Sequence, residues 1–144
     1  MDDLKIDRQK LEGVCRKHGV IAVYIHGSRV KGYAAADSDT DVAVVVKDKR
    51  KLEHGGWGYK VEHEIRDALK VKEPDVRVID VGSSPVFLFA VVDGGVVIYE
   101  SSADEKVKFE ARVLRSYYDY QRLADVYRRY LFQAVKEERY AHGG

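Results

Sequence analysis

Short apolar runs alternate with helical periodicities along the chain, and this alternation predicts an α/β (α+β) fold with a short mixed sheet. Four runs rich in β-branched residues predict strands, which span 20–26, 41–47, 76–81 and 96–99. Apolar residues at three- and four-residue spacing predict helices, which end near Gly19, span 57–71 and begin at about Ala103. Residues 85–91 are continuously apolar and fit either a strand or a helix.

The last predicted helix, about 103–140, carries a long apolar stripe. Its members recur every three or four residues and are Phe109, Val113, Tyr117, Tyr120, Ala124, Tyr127, Leu131 and Val135. A small sheet cannot cover a stripe of this length, so part of it is expected to meet a partner or to form an oligomer. The helical spacing of the tyrosines favours packing over stacking on nucleic-acid bases.

Two connecting segments complete the predicted organisation. The polar stretch from Lys47 to Gly58 contains two adjacent glycines and predicts a mobile loop. A short helical segment is expected near 30–35. No repeat or Pro/Gly/Ser-rich linker divides the chain, so residues 1–144 are expected to form one domain.

Composition narrows the classes of function. The formal net charge is only +1 although 34% of the residues are charged, so the whole chain should not attract nucleic acid or membranes. The N-terminus lacks an apolar signal region, which favours a cytoplasmic protein. Asparagine is absent and glutamine occurs three times, which favours a thermophilic source.

The single cysteine, Cys15, excludes a disulfide within the chain. It lies on the predicted first helix among apolar residues. We interpret it as a small buried side chain rather than a reactive thiol.

The main candidate for chemistry is the segment GSRVKGYAAADSDTD, which runs from Gly27 to Asp41. Asp39 and Asp41 are two residues apart at the start of a predicted strand, so both carboxylates should lie on one face. Mg²⁺ is commonly bound through one or two protein carboxylates while phosphates and water complete its octahedron. The alternative interpretation is a solvated turn ahead of the strand.

The turn that precedes the aspartates suits an anionic ligand. Gly27 follows a predicted strand and allows the backbone to come close to a ligand. Ser28 adds a hydroxyl group, free N–H groups of the next segment can point at an anion, and Arg29 and Lys31 add positive charge. The spacing of a Walker P-loop is absent. We therefore expect a site for a metal-bound triphosphate, with Gly27, Ser28 and Arg29 holding the nucleotide.

These residues resemble the GSx10DxD pattern of the minimal nucleotidyltransferases, small members of the polymerase-β-like superfamily. The likeness is strongest to the antitoxin branch that is encoded beside HEPN toxins. It continues through DVRVIDVGSSPVFLFAVVDGGVVIYE, residues 75–100, which resembles the third catalytic strand of that branch, the following turn and a closing hairpin.

The resemblance implies a polymerase-β-like fold and a specific reaction. The implied reaction is transfer of AMP from ATP, with Mg²⁺ held by Asp39 and Asp41, to a tyrosine hydroxyl of a HEPN toxin. Two alternatives stay open. The chain could neutralise its toxin by binding alone, or it could modify the hydroxyl of a small molecule.

The resemblance fails at the third acid. In the antitoxin branch the third strand typically reads Asp-Val-Asp-hydrophobe-Val-Asp, and the corresponding residues here are Asp75-Val76-Arg77-Val78-Ile79-Asp80. Asp75 could replace the missing acid if the strand were shifted, Arg77 could hold a phosphate directly, or the transferase could be weakened. Asp80 has the opposite parity and fits a structural role in a turn.

Overall fold

The computed structural model describes residues 6–27, 40–53, 57–71 and 73–141. The described residues form helices and strands in a regular order. The helices are α1 (Arg8–His18), α2 (Lys49–Glu53), α3 (Trp57–Ala68), α4 (Pro85–Gly94) and α5 (Ala103–Ala141). The strands are β1 (Ala22–His26), β2 (Asp41–Val45), β3 (Asp75–Ile79) and β4 (Val96–Glu100).

The strands form one mixed sheet in the order β3-β2-β1-β4, which confirms the predicted architecture. Strand β1 pairs antiparallel with both β2 and β4, whereas β2 and β3 are parallel. A parallel pair needs a long crossover, and α2 and α3 supply it here. The crossover brings the first residues of β2 and β3 to the same end of the sheet, next to the last residue of β1.

One face of the sheet, the first face, packs against α1 and α3. Its buried strand residues are Val23, Ile25, Val42, Val44, Val76 and Val78. Leu11 and Cys15 of α1 and Ile65 of α3 cover them. His18 at the end of α1 also contacts α3, through its Nε2 at 3.0 Å from Glu64 Oε2. Alternate residues of the strands therefore build one uninterrupted apolar core.

The opposite face, the second face, packs against α4 and α5. Its core contains Ala22, Tyr24, Ala43, Val45 and Ile79 from the strands, with Leu88, Val91, Phe109 and Val113 from the helices. The buried Tyr24 hydroxyl donates to Glu110 Oε1 of α5 at 2.7 Å. This hydrogen bond satisfies a polar group that would otherwise be buried without a partner.

The predicted loop at 47–58 is wrong in part, because α2 forms within it and α3 begins before it ends. The Asp80 carboxylate accepts the N–H of Lys49 at 2.7 Å, and the Asp48 carboxylate accepts the N–H of Arg50 at 3.0 Å. These carboxylates satisfy the N–H groups that a helix start leaves free. Residues 54–56 and the predicted helical segment near 30–35 lie outside the described residues.

The expected closing hairpin is also wrong, because residues 85–94 form α4 and β4 pairs with β1. Ser84 caps α4, its hydroxyl accepting the N–H of Phe87 at 3.5 Å, and Pro85 stands in the first turn. Helix α4 is apolar on most of its circumference because it lies between the sheet and α5. Its apolar run therefore has no helical period from which the sequence could reveal it.

The long helix α5 is confirmed, and its 39 residues make it about 58 Å long. Phe109 and Val113 are buried against the sheet, and Tyr117 stacks on Phe89 of α4 with ring centroids 4.0 Å apart. Beyond Tyr117 the large apolar side chains are exposed, and Tyr130 is 71% accessible. Among the described helices, none is both long and apolar enough to cross a membrane.

Candidate functional site

The polar residues of the second face gather at one end of the sheet, which we call the open end. His26 is the last residue of β1 and pairs with Asp41, the first residue of β2. Asp41 in turn is in register with Asp75, the first residue of β3. Arg77 follows two positions later and lies on the same face. The open end thus brings residues of three strands together where the apolar core stops.

Gly27 completes the open end and requires its residue type. Its φ of +94° lies in the region that side chains other than glycine rarely adopt. A Cβ at this position would also overlap the Oδ2 atom of Asp41. The glycine therefore lets the backbone turn directly against a carboxylate, which is the close approach expected at a ligand site.

The other predicted residues of the turn, Ser28, Arg29 and Asp39, lie outside the described residues. Thr40, the next described residue, is buried. Its carbonyl accepts the N–H of Asp75 at 2.8 Å. This hydrogen bond fixes the start of β2 against the start of β3 and so sets the positions of Asp41 and Asp75.

The third strand places both of its charged residues at the open end without any shift in register. Asp75 lies beside Asp41, whereas Arg77 lies beside Ala43. The Nε of Arg77 is 3.9 Å from Asp75 Oδ2. Asp80 lies past the far end of β3, where its side chain accepts the N–H groups of Lys49 and Gly82. The prediction of a structural role for Asp80 is confirmed.

The charges at this end of the sheet affect the pKa of His26. Burial lowers the pKa of His26 most strongly, the carboxylates of Asp41 and Asp75 raise it, and the guanidinium of Arg77 lowers it. The sequence favoured a histidine satisfied in the core. The structure instead places it half-buried beside Asp41, with its ring edge-on to Phe87 at 5.5 Å between centroids.

Phe87 is a residue of the site that the sequence could not assign. It lies on the first turn of α4 and contacts His26, and the guanidinium carbon of Arg77 is 5.7 Å from the centre of its ring. A charged guanidinium over an aromatic face is attracted by the ring. The only available signal was the apolar run at 85–91, which left both the element and its facing direction open.

The donor chemistry of the open end fits a single divalent cation. Asp41 supplies a carboxylate at the predicted metal position, with Asp75 in register on the neighbouring strand, and one or two carboxylates are usual for Mg²⁺ when phosphates and water provide the remaining ligands. Within the described ranges, no group of three or more His, Cys, Asp or Glu side chains could hold a metal ion, and Asp39 is outside them. Arg77 carries a positive charge and cannot be a ligand of the metal ion.

The family model for polymerase beta, nucleotidyltransferase, matches residues 9–104. The chain belongs to this nucleotidyltransferase family. The matched stretch includes the whole sheet and every described residue of the open end. No curated protein sequence matches the chain significantly.

Solved nucleotidyltransferase-type chains share the fold over nearly the whole length. A toxin–antitoxin complex with AMP-PNP contains a chain with 21% identity and a TM-score of 0.56, and the match covers 91% of this chain and 99% of that one. A tri-AMPylated HEPN toxin complexed with its MNT antitoxin, from Shewanella oneidensis, matches with 19% identity, a TM-score of 0.51, and coverage of 90% and 96%. At these identities the likeness establishes the nucleotidyltransferase fold.

Proposed function

We propose that this nucleotidyltransferase transfers AMP from ATP to a tyrosine hydroxyl of a HEPN toxin and thereby acts as its antitoxin. The observation that carries the proposal is the contact between Gly27 and Asp41. There a glycine turn with positive φ lies against the Asp41 carboxylate, and Asp41 is in register with Asp75 on the next strand. A neutral structural turn has no need for such a juxtaposition of charge and backbone.

The residues have distinct roles in this proposal. The turn at Gly27 and Ser28, with Arg29, holds the triphosphate, and Asp39 and Asp41 hold Mg²⁺. When bound, Mg²⁺ would neutralise charge on the phosphoryl group as it transfers. The acceptor oxygen forms a bond to the α-phosphorus, the bond from that phosphorus to the β-phosphate breaks, and pyrophosphate leaves. The proton of the acceptor hydroxyl passes to solvent water.

The choice of a HEPN protein as acceptor is supported by two observations. One of the fold relatives is complexed with a HEPN toxin that carries AMP groups. In addition, α5 carries exposed apolar side chains beyond Tyr117 that no other described element covers; they include Leu123, Val126, Tyr127, Tyr130 and Phe132. We assign this part of α5, residues 118–138, as the surface that binds the HEPN partner.

The test is transfer of label from ATP marked at the α-phosphate to a HEPN-family protein with which the chain is co-purified. Asp39→Asn combined with Asp41→Asn should lower labelling at least about 10²- to 10³-fold, because charge stabilisation at the transferring group is lost. The matched control is Asp67→Asn, which changes an exposed aspartate on α3, against the other face of the sheet. Equal labelling by the double variant and the wild type would refute the proposal.

A second candidate function is neutralisation of the toxin by binding alone. The observation that favours it is Arg77, a cation at the position where the resemblance expects an acid. In that case the wild-type pair would form a tight complex in which the toxin is inactive but never labelled. Size-exclusion chromatography of the pair, run beside the labelling assay, separates this candidate from the transferase and from self-association of α5.

A further inference from the structure

The guanidinium of Arg77 is positioned at the open end although the fold does not need it there. Its side chain is 63% exposed, and its ion pair with Asp75 is long, with Asp75 itself 49% exposed. Exposed pairs of this kind contribute about 0–1 kcal/mol to stability. The opposite residue, Ala43, belongs to the buried core and offers no polar partner. Its described contacts, with Asp75 and Phe87, therefore stabilise the fold only weakly and leave most of the guanidinium accessible.

Two contacts limit where the guanidinium can go. Asp75 lies on the Nε side at 3.9 Å, and the Phe87 ring lies 5.7 Å from the guanidinium carbon. Phe87 also contacts His26, the residue that pairs with Asp41, so the guanidinium lies on the side of the open end. Arg77 thus lies over the second face, on the side of Phe87 and His26.

The part of the guanidinium that remains free suits an oxyanion. Among the described residues, no hydrogen bond occupies its two terminal nitrogens. Two parallel N–H groups match two oxygens of a phosphate, and such charge-assisted pairs are among the stronger hydrogen bonds in proteins. The nearby carboxylates, Asp41 and Asp75, would repel a free phosphate, so a compensating cation is needed at this place.

We propose that Arg77 binds phosphate oxygens of the nucleoside triphosphate held at the open end, so that part of the nucleotide affinity does not depend on a metal ion. This inference rests on the proposed function and deepens it, because it identifies a phosphate-binding residue on the third strand. Asp75 and Phe87 act as positioning residues for the guanidinium. Arg77, which lies beside Ala43, then binds the substrate and not a metal ion.

The test is calorimetric titration of the full-length chain with ATP, once in excess chelator and once with Mg²⁺. Arg77→Met should weaken ATP binding in chelator about 10- to 100-fold, and Arg77→Lys should weaken it less because the charge stays while the paired geometry is lost. Arg66→Met is the matched control, since Arg66 is exposed on α3 at the first face. Unfolding curves of all variants should coincide within the small effect of an exposed pair.

A third variant of this residue, Arg77→Asp, separates this inference from the proposed function. Arg77→Asp should bind ATP even more weakly than Arg77→Met, with or without Mg²⁺. If Arg77→Met binds ATP in chelator as the wild type does, or if Arg77→Asp binds Mg·ATP more tightly than the wild type, the inference is wrong while the transferase proposal stands. If the wild-type chain binds no ATP under either condition, both are wrong.

Discussion

The two faces of the sheet are built from the same strands but end differently. On the first face the buried side chains of β1, β2 and β3 are apolar along the whole length of each strand. On the second face the apolar core stops short, and His26, Asp41, Asp75 and Arg77 take its place at the open end. The first face is a core and nothing else, whereas the second face combines a core with a polar site.

The difference shows how a small fold can hold a charged site without losing its stability. Side chains alternate between the faces, so charges at the ends of β2 and β3 leave the first face intact. Helices α1 and α3 cover β1, β2 and β3 on the first face. On the second face, Phe87 is the described residue of α4 that contacts His26 and Arg77 at the open end. Changes on the first face should therefore disturb folding, and changes at the open end should disturb function.

The largest effect on stability is expected from Ile65→Ala on α3, because Ile65 is fully buried in the first face. Removal of its side chain should lower the free energy of unfolding by about 2–5 kcal/mol, measured by urea denaturation. Tyr59→Ala on the same helix is the control, since Tyr59 is 76% exposed, and its effect should stay within about 0.5 kcal/mol. Similar losses in the two variants would mean that the first face is not the main core.

Gly27→Ala is expected to combine both kinds of damage at the boundary between core and site. The new side chain would have to adopt a φ of +94° and would overlap the Asp41 carboxylate. We expect a loss of about 1–3 kcal/mol in the free energy of unfolding together with loss of ATP binding. Gly13→Ala is the control, because Gly13 lies in α1 with open space around it and should gain up to about 1 kcal/mol. Unchanged ATP binding by Gly27→Ala would separate this turn from the nucleotide.

The ionisation of the Cys15 thiol measures how completely the first face excludes water. Burial, aided by the charge of Glu12, raises the pKa of its thiol to about 12. Above the usual thiol pKa of about 8.5, the unfolded chain loses this proton while the folded chain keeps it, so the free energy of unfolding falls as pH rises. Between about pH 8 and about pH 9.5 this contribution should be about 1 kcal/mol.

The measurement is urea denaturation of the wild type and of Cys15→Ala across this pH range. The wild type should lose more stability with rising pH than the variant, since only the wild type carries the thiol. Parallel pH dependence in the two proteins would show that the thiol ionises freely in the folded state. In that case the first face would be more open than its burial indicates.

The smallest effect on stability is expected in the part of α5 that belongs to neither face. Tyr127→Ser combined with Tyr130→Ser should change the free energy of unfolding by less than about 0.5 kcal/mol, because both side chains are exposed. The same variant should lose binding to the proposed HEPN partner in size-exclusion chromatography. Val113→Ala, buried on the same helix, should show the reverse pattern of lower stability and retained binding.

Much of the fold was predictable because the strands, α1, α3 and α5 carry clear apolar periods. The charged residues of the third strand were also identified, but their neighbours were not, since register depends on pairing that spacing alone does not define. Helix α2 was missed and α4 was left open between strand and helix, for opposite reasons. Helix α2 is polar and depends on Asp48 and Asp80 for its start, whereas α4 is apolar nearly all round. Without α4, the contact of Phe87 with Arg77 had no basis in the sequence.

The far end of the sheet offers a second place where the nucleotide could bind. There a cavity of about 610 Å³ is lined by three basic and two acidic residues, with Gly82 among the others; the charged ones are Lys47, Asp48, Lys49, Arg50 and Asp80. Its basic side chains could attract phosphate groups through charge alone. The open end differs from it in having the glycine turn and the paired carboxylates.

The most direct test of the account is therefore to locate the bound nucleotide. Backbone amide signals of the labelled chain can be followed by NMR during titration with Mg·ATP. The account predicts that the largest shifts fall on Gly27, Asp41, Asp75 and Arg77, with little change at Lys49 and Gly82. Shifts concentrated around Lys49 and Gly82, with the open end unperturbed, would contradict the assignment of the nucleotide site.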